Sequence, residues 1–591
     1  MATYSPPLQD MRFTLEHLVD LPALSKLAPF AQADLETVMG LLGEYGRFVA
    51  DVLAPLDRVG DTVGARRDPG TGRVTTPPGF VDAYRRYVDA GWGSVPFPVE
   101  HGGGGFPWLV AIAMQEMLTS ANMGFSLCPL LTQGAIEMLS HHGSEEQQER
   151  YLRKMVSGEW TGTMNLTEPE AGSDVGALRT RAVPAADGTW RITGTKIFIT
   201  YGDHDLTDNI VHLVLARVPD APPGTRGISC FIVPKFLVGE DGSLGERNAV
   251  TCASIEHKMG IHASPTCVLA YDDAVGYLIG EANAGMRYMF TMMNNARLSV
   301  GLEGLAVAEV AYQQALAYAR ERRQGRAAGA PAGTPSLIID HADVRRMLMT
   351  MRATVEAMRG LLYLHASAVD LQRHAPDEDE RVAQRELADL LTPVSKAWCT
   401  DMGMDLARLA TQVHGGMGYI EETGIAQRER DIRIAAIYEG TNGIQAIDLV
   451  GRKLPMGAGA VVERFLRRME GLDSDLADAG EDLATIRASL ADALAALREA
   501  TTWILAHAND PNDALAAATP YLRMFGVTVG GWVMARQALV ARRLGVSEPF
   551  LAAKATSARF YCEELLPQAR GLLAAVTSGG DILFEIPADA L

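Results

Sequence analysis

The chain has 591 residues, of which 48% are hydrophobic and 21% charged, an ordinary globular composition that excludes wholesale disorder. Acidic residues outnumber basic ones by 72 to 53, and the net charge of −19 disfavours nucleic acid and anionic membranes as partners. The six cysteines are scattered without a C-x-x-C pair, so neither a disulfide framework nor a metal site is predicted.

The N-terminus carries acids and lacks a basic flank before an apolar run, so we expect no secretory signal. No uninterrupted apolar stretch approaches the roughly 18 residues that a membrane span needs. The sequence therefore predicts a soluble, cytoplasmic protein that does not contact a membrane.

Three changes of texture divide the chain. Residues 1–160 are predicted to form a helical domain, in which Ser144 and Gln147 have capping-box spacing and begin a helix that ends near Gly158. Residues 161–281 are predicted to form a compact β domain, because short runs rich in Val, Ile and Phe are separated by Gly, Pro and Asp: WRITGTKIFIT, NIVHLVLARV and GISCFIVPKF.

Helix returns in residues 282–455. The stretch from Gly285 to Gln324 is apolar at helical spacing and predicts a helix of about 38 residues, typical of a bundle and often of a subunit interface. A loop is predicted at 329–336. A linker is predicted at 454–460. Residues 456–591, which begin within it, are predicted to be an additional helical domain packed on the core, since apolar residues recur at three- and four-residue steps.

Three segments carry candidate chemistry. The first, NLTEPEAGSDVGA at 165–177, offers hydroxyls and turn N–H groups to an anionic or heteroaromatic ligand; its alternative is a side-chain-stabilised surface turn. The second is QVHGGMGYIEETGIAQRERD at 412–431. Its glycines allow a phosphate or another backbone to come close, but a helix end followed by a loop explains them equally well.

The third segment is RIAAIYEGTNGIQ, which ends a run of apolar residues with Glu439. A carboxylate among apolar neighbours tends towards a raised pKa, which suits a general base. The alternative is an acid favoured by the dipole at the start of a helix.

Together these segments resemble one family, the acyl-CoA dehydrogenases. TEPEAGSD is similar to its first signature, Gln412-x-x-Gly415-Gly416-x-Gly418 to its second, and YEGTNGIQ to its catalytic-glutamate motif. The glycine loop at 100–107 is similar to the family's N-terminal glycine loop. The length, the MATYSPPLQDMRF opening and the tail beyond 456 resemble the longer bacterial branch, which includes 3-methylthiopropanoyl-CoA and some fatty acyl-CoA dehydrogenases. Three positions depart from the family pattern: Asn165, Gln427, and Gln324 directly before Gly325.

The resemblance implies an α+β fold: an N-terminal helical domain, a middle β domain or β-barrel, a C-terminal four-helix bundle and a helical extension. It implies FAD-dependent α,β-dehydrogenation of an acyl-CoA to the trans-2-enoyl-CoA, with Glu439 as α-proton base and hydride transfer to flavin N5. Implied partners are an electron-transfer flavoprotein and a second copy of the chain, in a homodimer or a dimer of dimers. The acyl chain stays open, from 3-methylthiopropanoyl to short, medium or long fatty acyl, as in β-oxidation.

The resemblance also implies site residues. Arg322 matches an arginine that reaches the FAD pyrophosphate of the neighbouring subunit, which suits a guanidinium because it can bind two phosphate oxygens. Arg297 matches an arginine near the base, with a surface salt bridge as its alternative. The cofactor-binding residues implied are Leu166, Thr167, Ser173, Phe198, Thr200, Arg322, Gln412, Gly415, Gly416, Thr441, Asn442 and Gly443. The substrate-binding residues implied are Ser173, Asn294, Arg297, Glu439 and Gly440.

Two other functions are compatible with such a chain. An acyl-CoA oxidase would pass electrons to oxygen, and aerobic peroxide production would reveal it. A DNA-binding flavoprotein of the same fold would need a basic extension, but residues 456–591 hold 17 acidic residues against 12 basic ones. A relative that has lost dehydrogenation is disfavoured because Glu439 is present.

Overall fold

The computed structural model describes residues 4–331, 333 and 335–591. By their mutual contacts these residues form two compact units, which we call the β unit (Glu44–Ser299) and the helical unit (the chain up to Gly43 together with Val300–Leu591). Positions 332 and 334 of the predicted loop, and the first three residues of the predicted N-terminus, lie outside the described residues. The division into segments at 160, 281 and 455 stays a prediction.

The first part of the chain is helical apart from two short strands. Its elements are α1 (Leu8–Phe13), α2 (Leu21–Leu24), α3 (Leu35–Phe48), α4 (Ala54–Val63), β1 (Arg66–Arg67), β2 (Val74–Thr75), α5 (Phe80–Asp89), α6 (Trp108–Ala121), α7 (Met123–His142) and α8 (Glu145–Ser157). Strands then follow: β3 (Trp160–Asn165), β4 (Arg181–Pro184), β5 (Trp190–Thr200), β6 (Asn209–Ala216), β7 (Ser229–Pro234), β8 (Phe236–Val238), β9 (Leu244–Arg247), β10 (Val250–Ile255) and β11 (Thr266–Leu278).

The rest of the chain is helical. The long helices come first: α9 (Gly285–Glu321), α10 (Ala342–His374) and α11 (Glu378–His414). The remaining helices are α12 (Ala426–Ile432), α13 (Asn442–Asp448), α14 (Ala460–Glu470), α15 (Leu472–Asp478), α16 (Ala484–Ala506), α17 (Pro511–Leu544), α18 (Pro549–Phe560) and α19 (Gln568–Thr577).

The β unit is built on a seven-stranded sheet in the order β3-β6-β7-β11-β5-β4, with β10 also paired to β11. Strands β3 and β6 are parallel and the other neighbours are antiparallel. All residues of β6 and β7 are buried, which explains their continuous apolar pattern. Helix α8 begins with the predicted Ser144–Gln147 capping box and ends at Gly158 in the left-handed region, as predicted.

In the helical unit, α9 and α11 approach each other through glycines. A Cβ atom on Gly304 would lie 2.1 Å from the carbonyl oxygen of Cys399, and one on Gly403 would lie 2.7 Å from the Gly304 Cα. No side chain larger than hydrogen fits at such a contact. The two backbones are therefore nearly in touch, which brings the neighbouring Glu303 against α11.

The C-terminal extension completes the core of this unit. The buried ring of Trp398 on α11 lies where Cβ atoms on Gly526 and Gly530 of α17 would be, at 2.2 and 3.1 Å. By length and composition α17 could span a membrane, but 89% of its most apolar window is buried in the structure. Helix α17 therefore occupies the position of a core helix, as the prediction of a packed extension requires.

The N-terminal helix α1 also packs in the helical unit. Its Asp10 is ion-paired with Lys554 of α18, whose ammonium lies 3.5 Å from the Glu356 carboxylate of α10. Lys554 and Glu356 are both buried. Since a buried charge needs a partner, these contacts hold the two ends of the chain in one unit.

Candidate active site

The loop before α13 places Glu439 in an unusual backbone conformation. Glu439 has φ +56° and Gly440 has φ +82°, both in the left-handed region. Thr441 then caps α13 by accepting a hydrogen bond from the Ile444 N–H at 3.2 Å. Holding a residue with a Cβ atom in this region costs on the order of 1–3 kcal/mol, and such strain is common where geometry serves function.

Lys396 of α11 anchors this loop from one side. Its ammonium donates to the Gly440 carbonyl and to Asn442 Oδ1, both at 2.8 Å. The Gln445 amide donates to the Glu439 carbonyl at 3.2 Å and to the Gly440 carbonyl at 3.3 Å. The backbone that carries Glu439 is thus fixed by two side chains of the same unit.

The side chain of Asn442, a predicted cofactor-binding residue, is engaged within this network. Its amide nitrogen donates to Asp401 Oδ1 at 2.7 Å and to Thr400 Oγ1 at 3.0 Å. Burial raises the pKa of the Asp401 carboxyl, and the hydrogen bond from Asn442 opposes that rise. The neighbouring Gly443 is exposed at the start of α13. The cofactor contacts of both residues stay predictions.

Glu303 of α9 contacts the loop from the other side. Its side chain is fully buried, and Oε2 accepts a short hydrogen bond from the Tyr438 hydroxyl. Burial raises the Glu303 pKa to about 8; the Glu439 charge raises it further, while Tyr438 and Lys396 lower it. The carboxyl is therefore a neutral acid at pH 7.

A second cluster forms where α9 and α11 end. The ring of Tyr318 stacks on His414 with centroids 4.4 Å apart. The N–H of Arg322, which follows α9, donates to the Tyr318 carbonyl at 2.9 Å, and Gln412, Gly415 and Gly416 are sequence neighbours of His414. Gly415 has φ +60°, and nothing lies within 4 Å of where a Cβ atom on Gly415 or Gly416 would be. Arg322 is exposed and forms no ion pair with any described residue.

The two clusters of the helical unit are distant from each other along α11. Sixteen residues separate Lys396 from Gln412, which at about 1.5 Å per residue is about 24 Å. Lys396, which anchors the loop that carries Glu439–Gly443, therefore lies far along α11 from Gln412–Gly416.

In the β unit, the first signature lies beside the end of β5. The Leu166 carbonyl accepts from Lys196 Nζ and the Thr167 carbonyl accepts from the Ile197 N–H, both at 2.9 Å. The pairing of β5 with β11 shifts register here, and Phe198 has φ +59° and is 58% exposed as a residue. A bulge of this kind redirects a side chain, in this case an aromatic ring towards the surface of the unit.

The departure at Asn165 has a structural reason. Asn165 is fully buried; its amide donates to Thr163 Oγ1 at 2.8 Å and its Oδ1 accepts from the Tyr271 hydroxyl at 3.0 Å. Thr163 in turn shares a hydrogen bond of 2.7 Å with His212. The amide therefore joins β3 to Tyr271 of β11 and orients Thr163 towards His212 of β6, which the small residue usual in the family could not do.

Gln427, the second position that departs from the family pattern, is also buried. Its amide donates to Asp431 Oδ2 at 3.1 Å, while Arg428 is placed near Gln314 of α9 at 3.4 Å. The remaining predicted substrate residues lie apart from the loop in sequence: Ser173 is exposed in the first signature, Asn294 is exposed on α9, and Arg297 is buried on the same helix. Their roles stay predictions.

Sequence reasoning missed Glu303 and Lys396. Each is an ionisable residue within an apolar helical run, SVGLEGLAVA and LLTPVSKAWC, where a fully buried charge is rare unless it is paired. A single ionisable residue within an apolar helical run was the signal that could have identified Glu303 and Lys396. It could not name the partners, because Tyr438 and Gly440 lie far along the chain.

Comparison with known proteins covers nearly the whole sequence. The family descriptions matched are "Acyl-CoA dehydrogenase, N-terminal domain" at 65–159, "middle domain" at 163–274, "C-terminal domain" at 283–454 and "Acetyl-CoA dehydrogenase C-terminal like" at 462–587. The chain belongs to the acyl-CoA dehydrogenase family. The predicted order of a helical, a β and a helical domain with a C-terminal extension is confirmed.

Individual relatives extend over the full length. A 3-methylmercaptopropionyl-CoA dehydrogenase of Ruegeria pomeroyi is 47% identical, covering 98% of this chain and 99% of its own. A butyryl-CoA dehydrogenase of Syntrophomonas wolfei is 37% identical, covering 99% and 98%. The structure of a Bacillus anthracis acyl-CoA dehydrogenase complexed with FAD shares the fold, with a TM-score of 0.72 and 20% identity over 94% of this chain and 90% of that one.

Members of the family are FAD-dependent oxidoreductases that act on a CH–CH bond, and this chain is one of them. Its residues fit the cofactor. The hydroxyls of Thr167, Ser173 and Thr200 make no hydrogen bond to other described residues, and the adjacent Phe198 ring is exposed. In the helical unit, the guanidinium of Arg322 and the open glycine backbone suit a phosphate group.

Proposed function

We propose that this enzyme converts an acyl-CoA to its trans-2-enoyl-CoA, with Glu439 as the base that removes the α-proton. The observation that carries this proposal is the backbone of Glu439, which is held in the left-handed region by contacts on both neighbouring residues. A carboxylate fixed in this way can meet a substrate carbon in one orientation, which is how positioning contributes to rate.

The α-proton of a thioester is only weakly acidic, so its removal needs stabilisation of the developing enolate oxygen. We assign that role to the Glu439 N–H, which would donate to the thioester carbonyl while the Glu439 carboxylate accepts the proton. Bound acyl chain would exclude water from the carboxylate, making it a stronger base. FAD, when bound, supplies the acceptor for the hydride that leaves the β-carbon.

The residues that would hold FAD belong to two groups. Leu166, Thr167, Phe198 and Thr200 at the end of β5 would contact the flavin and its ribityl chain. Arg322 with Gln412–Gly416 would bind phosphate. This second group lies about 24 Å along α11 from Lys396, which anchors the base loop (residues 438–441, before α13). We therefore assign it to the FAD of a second copy of the chain, which makes the enzyme a homodimer or a dimer of dimers.

The electron acceptor that we propose is an electron-transfer flavoprotein. The names of the two full-length relatives support short acyl thioesters, 3-methylthiopropanoyl-CoA and butyryl-CoA, as first substrates to test. Anaerobic bleaching of the flavin by a panel of acyl-CoAs from C3 to C16 would identify the preferred chain, and peroxide formation in air would instead indicate an oxidase.

The deciding experiment is Glu439→Gln, which keeps volume and hydrogen-bonding reach but removes the proton acceptor. FAD content and acyl-CoA affinity should match the parent, while anaerobic bleaching slows by about 10³ or more, roughly 4 kcal/mol of barrier. The matched control is Glu422→Gln, the same change at an exposed acid. Near-normal bleaching by Glu439→Gln at full FAD content would remove this residue from the mechanism.

A further inference from the structure

Glu303 has no part in the chemistry proposed above, yet it is the buried ionisable group that contacts the base loop from α9. Its Oε2 accepts from Tyr438, the residue directly before Glu439. Its Oε1 is buried and accepts no hydrogen bond from any described residue. A buried carboxyl that is only half satisfied is costly and requires a reason.

The protonation states of Glu303 and Tyr438 determine whether their hydrogen bond joins charged or neutral groups. Burial raises the pKa of Tyr438 well above its usual value, and the nearby Glu303 raises it further. The Tyr438 phenol therefore stays protonated and donates a hydrogen bond to the Glu303 carboxyl, which is itself neutral at pH 7. The contact is a hydrogen bond between two uncharged groups, which adds no second negative charge beside Glu439.

The anchors of the loop lie on either side of Glu439. Tyr438 is held through its side chain by Glu303 of α9, and Gly440 through its carbonyl by Lys396 of α11. The close approach of α9 to α11 at Gly304 sets the distance between these two anchors. Both contacts act on the residues directly next to residue 439, so each restrains it in the left-handed region.

We propose that Glu303 is a positioning residue of the dehydrogenation: through Tyr438 it holds the Glu439 backbone in the conformation from which the carboxylate reaches the substrate. The proposal rests on Glu439 being the base. A contact that served only packing would lower stability when removed and leave the rate per bound FAD unchanged. A positioning contact must lower that rate while FAD and acyl-CoA still bind.

The test compares Tyr438→Phe and Glu303→Leu with a matched control. Tyr521→Phe removes another buried hydroxyl of the same unit, one that shares a 2.7 Å hydrogen bond with Thr501 in the extension. Each holoenzyme is measured for FAD content, acyl-CoA affinity, anaerobic bleaching per bound FAD and thermal midpoint. We expect Tyr438→Phe and Glu303→Leu to slow bleaching by about 10- to 100-fold with acyl-CoA affinity within about twofold, and Tyr521→Phe to lower the midpoint alone.

Two further variants sharpen the outcome. Glu303→Gln mimics the neutral acid and should restore bleaching to within about threefold of the parent, because its amide oxygen still accepts from Tyr438. The double variant Tyr438→Phe/Glu303→Leu should be no slower than the slower single variant, since both remove one contact.

Parental bleaching by Tyr438→Phe would overturn the proposal, as would fully additive losses in the double variant. If Glu303→Leu does not fold, Tyr438→Phe and Glu303→Gln decide. Glu439→Gln distinguishes failure of the positioning proposal from failure of the base assignment. If Glu439→Gln is inactive while Tyr438→Phe bleaches at the parent rate, positioning by Glu303 is wrong and the base assignment stands. If Glu439→Gln is active, the base assignment itself fails.

Discussion

Two buried carboxyls of this enzyme, one in each unit, have opposite surroundings. Glu168 in the β unit accepts from Lys196, from the Thr180 hydroxyl and from the N–H groups of Arg179 and Thr180. Burial opposes its ionisation, but Lys196 and these donors lower its pKa below the usual value. Glu303 in the helical unit has one donor, an unpartnered oxygen and a raised pKa.

The difference indicates what each carboxyl does. Both carboxylate oxygens of Glu168 accept hydrogen bonds, as expected where a network serves the fold. Around Glu303 the hydrogen bonding is incomplete and the adjacent Glu439 has a strained backbone. Departures from complete satisfaction and relaxed backbone tend to collect at functional sites. We therefore expect Glu168 to serve the fold and Glu303 to serve the candidate active site.

The largest expected effect comes from removing the C-terminal extension, which belongs to the helical unit. Deleting residues 456–591 would expose Trp398 and the face of α11 near Lys396, so we expect aggregation or loss of cooperative unfolding, measured by soluble yield and circular dichroism. The control is removal of 582–591 alone, where Ile582 and Phe584 are already exposed; it should stay folded. A soluble, active enzyme without 456–591 would contradict the packing account.

A smaller but still severe loss is expected from Lys196→Met in the β unit. This change leaves Glu168 buried without its cation, which typically costs about 3–5 kcal/mol. Denaturant unfolding monitored by circular dichroism would measure the loss. Adding Glu168→Leu should recover part of it, because the unpaired charge is then gone. A loss below about 1 kcal/mol would show that the pair does not have the structural role assigned to it.

The effect that is smallest at any single pH step is the pH dependence of stability at Glu303, which faces Tyr438 and Glu439 on the loop and Lys396 on α11. The folded carboxyl holds its proton up to a pKa of about 8, whereas the unfolded one loses it near 4.5. Between these values the folded state binds more protons, so the parent loses stability as pH rises, by at most about 1.4 kcal/mol per unit.

Glu303→Gln has no such proton to hold. The free energy of unfolding of Glu303→Gln should therefore increase relative to that of the parent as pH rises from 5 to 8. Above pH 8 the difference between the two free energies should stay constant. Parallel curves for the two proteins would show that Glu303 is ionised in the fold and would remove the contrast with Glu168.

Much of the fold could be predicted because its signals are local. The capping box at Ser144, the strand run WRITGTKIFIT and the long helix from Gly285 all depend on neighbours within a few residues. The packing of α1 with α18 could not be predicted, because Asp10 and Lys554 meet only in the folded chain.

The same limit applies to the candidate site. The resemblance to the family motifs predicts Glu439, Arg322 and the glycines after α11 as site residues. It could not show that Asn165 serves Tyr271, or that Glu303 serves Tyr438, because these contacts span 106 and 135 residues. Side-chain partners at such separations follow from tertiary packing, for which the sequence carries no local signal.

The most direct test of the account is the exchange of the substrate α-hydrogen with deuterated solvent, measured on an acyl-CoA analogue that cannot lose hydride. Parent and Glu439→Gln, both with full FAD and bound analogue, are compared by mass spectrometry. We expect rapid exchange by the parent and a rate lower by about 10³ or more in the variant. Exchange at the parent rate in Glu439→Gln would contradict the assignment of Glu439 as the base.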